Sequence, residues 1–314
     1  MLNTIQSVRD RMLLLRTLPA FAGLEDEPLS LLAEHLRVRK CRAGEQLLRL
    51  GEPVHHVYVV LEGELRWQRK GFAPTVAERQ QVVGWLTQMA RDPDGMDAAA
   101  KVDSLVLELP SEILESALED DFGLVRNSLR LAATGLVAAR AGLPAPLDKP
   151  PAVEMGVLRP QRRTLVERLI DMRRAPLFAR TNVEALIALL RCSEELRLAP
   201  DEYLWRLGEP ASSWVILEYG RVRCDNGQGQ TQDIGANFVI GIMDALSQST
   251  RSYDARAQTL LVGHRIQLEA FLGILETHFE LAREYLAFLA NSVLEMQAQA
   301  RAASAAKDML ERRP

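Results

Sequence analysis

An internal repeat constrains this chain more than any other feature of its sequence. The pentapeptide Arg-Leu-Gly-Glu-Pro occurs at residues 49–53 and again at residues 206–210, a separation of 157 residues. A shift of the sequence by this period, without any gap, also aligns Pro19 with Pro176, Gly63 with Gly220, Gly84 with Gly241 and Phe122 with Phe279. Glycines and turn prolines fix special backbone angles, so their common spacing predicts two copies of one folded module.

The length of the chain agrees with two modules, because 314 residues correspond to about two domains of ordinary size. Between the copies, residues 142–160 hold five prolines, a density that stops helices and stiffens an extended segment. We therefore predict a first domain over residues 1–141, a proline-rich linker over 142–160 and a second domain over 161–314.

Composition excludes several classes of function. Hydrophobic residues make up 47% of the chain and charged residues 25%. The formal net charge is −4 and no domain is basic, which argues against a nucleic acid partner. Cys41, Cys192 and Cys224 form neither a disulfide framework nor a zinc motif, which favours a reducing cytoplasm. The N-terminal apolar run at residues 12–15 is too short for a signal peptide or a membrane span.

The hydrophobic pattern of each copy predicts strands joined by glycine turns. In the first copy a dense apolar run at residues 57–61 ends at Gly63 and resumes at residues 65–68, and in the second copy Gly220 separates residues 214–217 from 222–224. Gly51 and Gly208 of the pentapeptide mark a preceding turn, and Ser111 is placed to cap a following helix. The pattern predicts that each copy combines strands, tight glycine turns and flanking helices.

The end of the chain predicts one long helix, from residue 281 to about residue 309, because the segment lacks glycine and proline. The residues at helical spacing pass from apolar to polar along it: Leu281, Tyr285, Phe288, Ser292 and Glu295. Two hypotheses remain open for this helix. It packs on the β core of its own copy, or it forms a homodimer through a coiled coil.

The Gly-Glu-Pro turn, the strand and turn that follow it at residues 57–65 and 214–222, the later glycines Gly84 and Gly241 and the closing helix resemble the cyclic-nucleotide-binding domain family. That family includes the catabolite activator proteins and the regulatory subunits of protein kinase A. The resemblance covers about residues 15–140 and 172–300. It implies an α+β fold of two antiparallel, jelly-roll-like β-rolls, each flanked by helices, and a regulatory function.

The resemblance also implies how a ligand would be held. Family members bind the cyclic phosphate with an arginine and the N–H groups of a short helix, in a segment called the phosphate-binding cassette. They bind the ribose with a glutamate that directly follows the glycine of this cassette. Here Trp85 follows Gly84 and Ile242 follows Gly241, so neither copy has that glutamate. The candidate ligand residues are confined to the second copy: Gly241, Ile242, Arg251 and Ser252. In the first copy, Asp94 stands at the position of Arg251 and would repel a phosphate.

Catalytic and metal motifs are absent from the sequence. The adjacent His55 and His56 would point to opposite faces of a strand, and His264 and His278 have no counterpart in the first copy. We therefore predict a non-enzymatic regulatory or scaffold protein that acts through protein partners, without a cofactor and with cyclic AMP or cyclic GMP not favoured. The alternative is a sensor of a nucleotide or another anion, bound in the second domain through Arg251 and Ser252.

Overall fold

The structure is a computed structural model that describes residues 7–139, 164–174, 178 and 181–311, with the side chains of the last helix described as far as residue 297. The helices are α1 (Val8–Thr17), α2 (Asp26–His35), α3 (Trp85–Met89), α4 (Ser111–Asp120), α5 (Phe122–Ala139), α6 (Leu165–Arg174), α7 (Val183–Arg191), α8 (Ile242–Leu246), α9 (Leu268–Thr277) and α10 (Phe279–Glu311). A short 3-10 turn, Pro19–Phe21, lies between α1 and α2.

Within the described residues, the strands fall into two groups of eight. The first group is β1 (Arg37–Cys41), β2 (Gln46–Leu48), β3 (His56–Glu62), β4 (Leu65–Gln68), β5 (Thr75–Ala77), β6 (Val82–Val83), β7 (Asp97–Ala100) and β8 (Ser104–Pro110). The second group is β9 (Glu194–Leu198), β10 (Tyr203–Trp205), β11 (Ser213–Tyr219), β12 (Val222–Asp225), β13 (Thr231–Ile234), β14 (Phe238–Ile240), β15 (Asp254–Ala257) and β16 (Leu261–Gln267).

Both groups have the same sheet topology. The first forms two antiparallel sheets in the orders β1-β8-β3-β6 and β2-β7-β4-β5, and the second forms β9-β16-β11-β14 and β10-β15-β12-β13. The register also repeats, because Val57 lies opposite Leu109 and Trp214 lies opposite Ile266, each residue being 157 positions from its counterpart. The predicted fold of two antiparallel β-rolls flanked by helices is therefore confirmed.

Contacts divide the chain into two compact units. The first unit is Met1–Ser128 with Leu286–Pro314, and the second unit is Leu129–Tyr285. The division falls inside α5 and α10. The predicted linker at residues 142–160 lies outside the described residues, so the domain boundaries at 141 and 161 stay predictions. None of the described helices is long and apolar enough to cross a membrane.

Each unit has its own apolar core inside the roll. Strand β3 is buried at five consecutive positions, as expected for a strand covered on both faces, and β11 repeats this pattern. Prominent core side chains of the first unit are Leu48, Tyr58, Leu65, Met96 and Val106. Those of the second are Trp205, Val215, Leu217, Tyr253 and Leu261. The repeated positions are thus filled by side chains of different size and polarity.

The glycines predicted to form turns have left-handed backbone angles, with φ between 85° and 96° at Gly51, Gly63, Gly84, Gly208 and Gly220. At Gly220 the close approach of another chain segment also requires glycine. A Cβ added there would lie 2.3 Å from the carbonyl oxygen of Leu260. Any larger residue would have to displace backbone at this turn, which explains why both copies have glycine.

Two predictions about helices need correction. Ser111 is the first residue of α4 and does not cap it, because its hydroxyl donates instead to the carbonyl oxygen of Val54 at 2.7 Å. The long last helix is confirmed, but its described apolar face does not fade by residue 292. Its buried apolar residues are Leu281, Ala282, Tyr285, Leu286, Leu289, Ala290, Val293 and Leu294. Because an α-helix has 3.6 residues per turn, these positions lie together on one broad face.

Candidate functional site

The four candidate ligand residues of the second unit gather around the start of the short helix α8. Gly241 is the N-cap of α8, with a φ of 80°, and Ile242 is its first residue and is buried. Arg251 and Ser252 lie in the segment that leads from α8 to β15. The structure therefore brings together residues that the sequence separates by about ten positions.

Arg251 points into the protein and is only 3% exposed. Its Nη2 donates to the carbonyl oxygen of Ser213 at 2.6 Å and to the Ser213 hydroxyl at 3.4 Å, while Nη1 donates to the carbonyl oxygen of Gly241 at 3.2 Å. The guanidinium also stacks on Trp205, with Cζ 4.0 Å from the ring centroid, in a cation–π contact. Arg251 thus joins β11, the N-terminus of α8 and an aromatic core side chain.

The space beside the α-carbon of Gly241 is filled by these side chains. A Cβ added at Gly241 would lie 2.6 Å from Nη1 of Arg251 and 2.8 Å from the Trp205 ring. Trp205 in turn makes an edge contact with Tyr253, with ring centroids 5.8 Å apart. The side of the cassette glycine that faces the roll interior is therefore closed by packed protein atoms.

A buried carboxylate lies in the same short helix. Asp244 is 2% exposed, and it accepts hydrogen bonds from the hydroxyl of Ser252 at 2.6 Å and from the Ser252 backbone N–H at 3.3 Å. Burial raises the pKa of Asp244 above its ordinary value, while the bonds from Ser252 and the charge of Arg251 lower it. Ser252 is therefore engaged with the protein itself.

Burial also affects the charge on Arg251. It lowers the pKa of the guanidinium, and Tyr253 and Asp244 act in the opposite direction by favouring the charged form. Because arginine ionises far above neutral pH, the side chain keeps its charge. The second unit thus holds a buried cation and a buried carboxylate next to the cassette glycine.

The first unit has a different arrangement at the matching positions. Gly84 is the N-cap of α3, and Trp85, the first residue of the helix, makes an edge contact with Phe21 at a centroid distance of 5.4 Å. Asp94 is exposed, and its carboxylate pairs with Lys70 at 3.1 Å. The side chain that matches the buried Arg251 is therefore an anion at the surface.

The repeated pentapeptide holds the backbone of this segment in both units. The N–H of Gly51 donates to the carbonyl oxygen of Asp94 at 2.8 Å, and the N–H of Gly208 donates to the carbonyl oxygen of Arg251 at 2.9 Å. The two bonds are related by the 157-residue period. The best-preserved motif of the sequence thus positions the loop that follows α3 in the first unit and α8 in the second.

Sequence reasoning missed three residues of the second site, namely Trp205, Ser213 and Asp244. Under the 157-residue shift they align with Leu48, His56 and Thr87 of the first copy. Each is a position at which the two copies differ in polarity or size, although the flanking glycines agree. Such differences close to a preserved glycine are the signal that could have found them.

Comparison with known proteins gives one family. The profile of the cyclic nucleotide-binding domain matches residues 38–121 and 195–278, which together are more than half of the chain. No curated protein matches.

Among solved structures, the chain is similar to the regulatory subunit of a cAMP-independent protein kinase A from Trypanosoma brucei, with 14% identity over 87% of both chains and a TM-score of 0.34. It is similar to the regulatory domain of Toxoplasma gondii PKA, with 14% identity over 88% of this chain and 97% of that one and a TM-score of 0.32. A cyclic nucleotide-binding-like protein from Brucella abortus is 26% identical over 35% of this chain and 97% of its own, with a TM-score of 0.31.

Proposed function

The chain belongs to the cyclic nucleotide-binding domain family, and we propose that it is a non-enzymatic regulatory protein that acts through protein–protein contacts. In this proposal neither domain binds a cyclic nucleotide in the way the family resemblance implies. The proposal extends to both units but rests on different residues in each.

The inward position of Arg251 is the observation that carries the proposal. A phosphate ligand would need the guanidinium to leave the carbonyl oxygens of Ser213 and Gly241, to which it donates. Each buried carbonyl left without a partner costs about 1–3 kcal/mol. Trp205 also closes one side of Gly241, because a Cβ added there would lie 2.8 Å from its ring. Both costs oppose the usual mode of binding.

The first unit supports the same proposal through charge. Asp94 places a carboxylate where the second unit has its arginine, and Lys70, its partner, is itself exposed. Repulsion between a phosphate and a carboxylate at this position would disfavour an anionic ligand.

Support for protein contacts comes from α6 of the second unit. Leu165, Val166 and Ile170 are 51%, 64% and 53% exposed, and they lie on one side of the helix. Adjacent exposed apolar side chains are unusual on a monomer surface and are typical of surfaces that bind other proteins. We propose that this side of α6 contacts a protein partner. A homodimer through α10 is one of the two hypotheses that the sequence leaves open, and it is tested separately.

Calorimetric titration of the intact chain with cyclic AMP and with cyclic GMP tests the proposal. We expect no saturable binding tighter than about 100 µM, an affinity near the lower limit of specific recognition. A site of micromolar or tighter affinity for either nucleotide would overturn the proposal.

A thermal-shift screen over nucleotides and inorganic anions tests the sensor alternative. A ligand at 100 times its dissociation constant stabilises the folded state by about 2.7 kcal/mol. A shift that is lost in Arg251→Leu and retained in Asp94→Asn would favour a sensor that uses the second unit. We expect no shift that depends on Arg251.

Light scattering on the intact chain and on a chain ending at Glu295 tests the homodimer hypothesis for α10. A dimeric mass that becomes monomeric on truncation would support self-association through the end of α10. A paired variant, Val166→Glu with Ile170→Glu, then asks whether α6 contributes. If the dimer is unchanged in that variant, the exposed apolar side of α6 is not part of the dimer contact and stays accessible to a different protein.

A further inference from the structure

Each unit has a strand of five residues at one free edge of a sheet. Strand β1 is hydrogen-bonded to β8 and strand β9 to β16, and among the described residues neither strand has a neighbour on its other side. The other edge strands of the described sheets are shorter, with two to four residues each. A long free edge presents a row of backbone N–H and C=O groups to which another strand can be added. Strands β1 and β9 are therefore the edges best suited to bind a further strand.

The two edges differ in charge at matching positions. Under the 157-residue shift, Arg37 and Val38 of β1 correspond to Glu194 and Glu195 of β9, and all four side chains are exposed. Arg37 and Glu194, like the exposed Lys40 further along β1, have no ion pair with any residue that the structure describes. Charges on an edge strand keep two like edges apart. They oppose the pairing of β1 with β1 and of β9 with β9, but they favour the pairing of β1 with β9.

The remaining charges of the two strands are already paired within the chain. Arg39 donates to Glu45 at 2.9 Å and to Glu108 at 2.8 Å. On β9, Arg197 donates to the neighbouring Glu195 at 2.9 Å. Strand β1 therefore keeps two unpaired cations and strand β9 keeps one unpaired anion.

Exposed apolar side chains lie beside both edges. On β1, Val38 is 43% exposed. The exposed apolar side of α6 lies near β9, because Nη2 of Arg168 on this helix is 3.6 Å from Oε2 of Glu195. An apolar contact flanked by opposite charges combines the burial of area with selection of one partner surface.

We propose that β1 of one chain pairs with β9 of a second copy of the chain and so extends a sheet of each. Within one chain the two strands belong to different sheets and do not pair with each other. Backbone hydrogen bonds supply the attraction, and the charges of Arg37 and Lys40 against that of Glu194 select the partner edge. The pairing rests on the proposed function, because it makes a second copy of the chain one of its protein partners.

Sedimentation velocity over a concentration series tests the pairing with two variants that exchange edge residues between the units. Arg37→Glu with Val38→Glu gives β1 the residues of β9, and Glu194→Arg with Glu195→Val gives β9 those of β1. We expect the intact chain to associate and each variant to raise the dissociation constant about ten-fold or more, because attraction between exposed charges becomes repulsion.

An equimolar mixture of the two variants should associate like the intact chain. In the mixture, the unaltered β1 of one variant meets the unaltered β9 of the other, so restored association also shows that both variants fold. The control, Glu112→Arg with Glu119→Arg, reverses two exposed charges on α4 and should leave association unchanged. Association of the intact chain should weaken as NaCl is raised from about 50 mM to about 500 mM, a readout that needs no variant.

Three results would overturn the proposal: a chain that stays monomeric over the series, association that both edge variants leave unchanged, and a mixture that associates no better than its components. Association should persist in the chain ending at Glu295, and its loss there would assign the contact to α10 instead. A monomeric chain would leave the nucleotide titration and the proposed regulatory function unaffected. Micromolar nucleotide binding would overturn that function without changing the sedimentation result.

Discussion

The segments after α3 and after α8 differ between the two units in their side chains, although the two units share one backbone hydrogen bond there. In the first unit Asp94 lies at the surface beside Lys70, whereas in the second Arg251 is buried under Trp205 and donates to the carbonyl oxygens of Ser213 and Gly241. In both units the same backbone bond from the pentapeptide holds the loop. The comparison teaches that the duplicated fold constrains the loop through its backbone, while the side chain at this one position decides whether the region is polar surface or buried core.

Replacing Arg251 should give the largest difference between the units. Arg251→Leu leaves two buried carbonyl oxygens without their donor, and we expect the second unit to lose about 3 kcal/mol of stability. The matched change Asp94→Asn removes only an exposed pair and should change the stability of the first unit by less than about 0.5 kcal/mol. Urea-dependent hydrogen exchange, read on peptides from each unit, measures both. Equal losses in the two units would mean that Arg251 contributes no more than a surface charge.

Alanine at the two cassette glycines should sharpen the comparison. Both have a left-handed φ, so Gly84→Ala and Gly241→Ala each carry a strain of about 1 kcal/mol. At Gly241 the new methyl group would also meet Arg251 at 2.6 Å, whereas at Gly84 the nearest atom is 3.1 Å away. Such overpacking typically adds about 1–3 kcal/mol.

We therefore expect Gly241→Ala to be the more destabilising of the two, measured by the same exchange experiment. The double variant Gly241→Ala with Arg251→Leu is its control. If the clash is with the guanidinium, the two losses should not add, because the second change removes the clashing group. Simple additivity would show that the methyl group is strained for another reason.

The buried carboxylate predicts a smaller, pH-dependent difference. Burial raises the pKa of Asp244 above 3.8, so the folded state keeps the proton to a higher pH than the unfolded chain. Stability therefore falls as the pH rises from about 3.8 through the folded value, and it is constant above that. Asp244→Asn keeps an oxygen for Ser252 and removes this slope, which is at most about 1.4 kcal/mol per pH unit.

Acid-range urea unfolding of Asp244→Asn, compared with the unmodified chain, measures the slope. The matched Thr87→Val in the first unit removes no ionisable group and should shift stability by the same amount at every pH. A pH-independent difference for Asp244→Asn would show that the carboxyl of Asp244 titrates alike in the folded and unfolded chain.

The sequence predicted the fold well because the fold depends on local signals. Gly63 and Gly220 mark tight turns through backbone angles that glycine adopts readily, and the dense apolar run before each glycine marks a strand. These features need no knowledge of distant residues. Ser111 shows the limit of such reasoning. Its hydroxyl donates to the carbonyl oxygen of Val54, 57 positions away, and does not cap its own helix.

For the candidate ligand residues, the sequence indicates positions along the chain and not the directions of the side chains. The 157-residue shift identified Arg251 and its counterpart Asp94, but side-chain direction depends on Trp205 and Ser213, which belong to other strands. A single sequence does not reveal which distant polar residues will bond to each other.

The bond from each pentapeptide glycine to the loop joins two main-chain atoms, the N–H of Gly51 or Gly208 and the carbonyl oxygen of residue 94 or 251. No side chain takes part, so a substitution at residue 94 or 251 leaves the anchor intact. The turn therefore anchors the loop through main-chain atoms alone, while the chemical group carried by the anchored residue is an anion in one copy and a cation in the other.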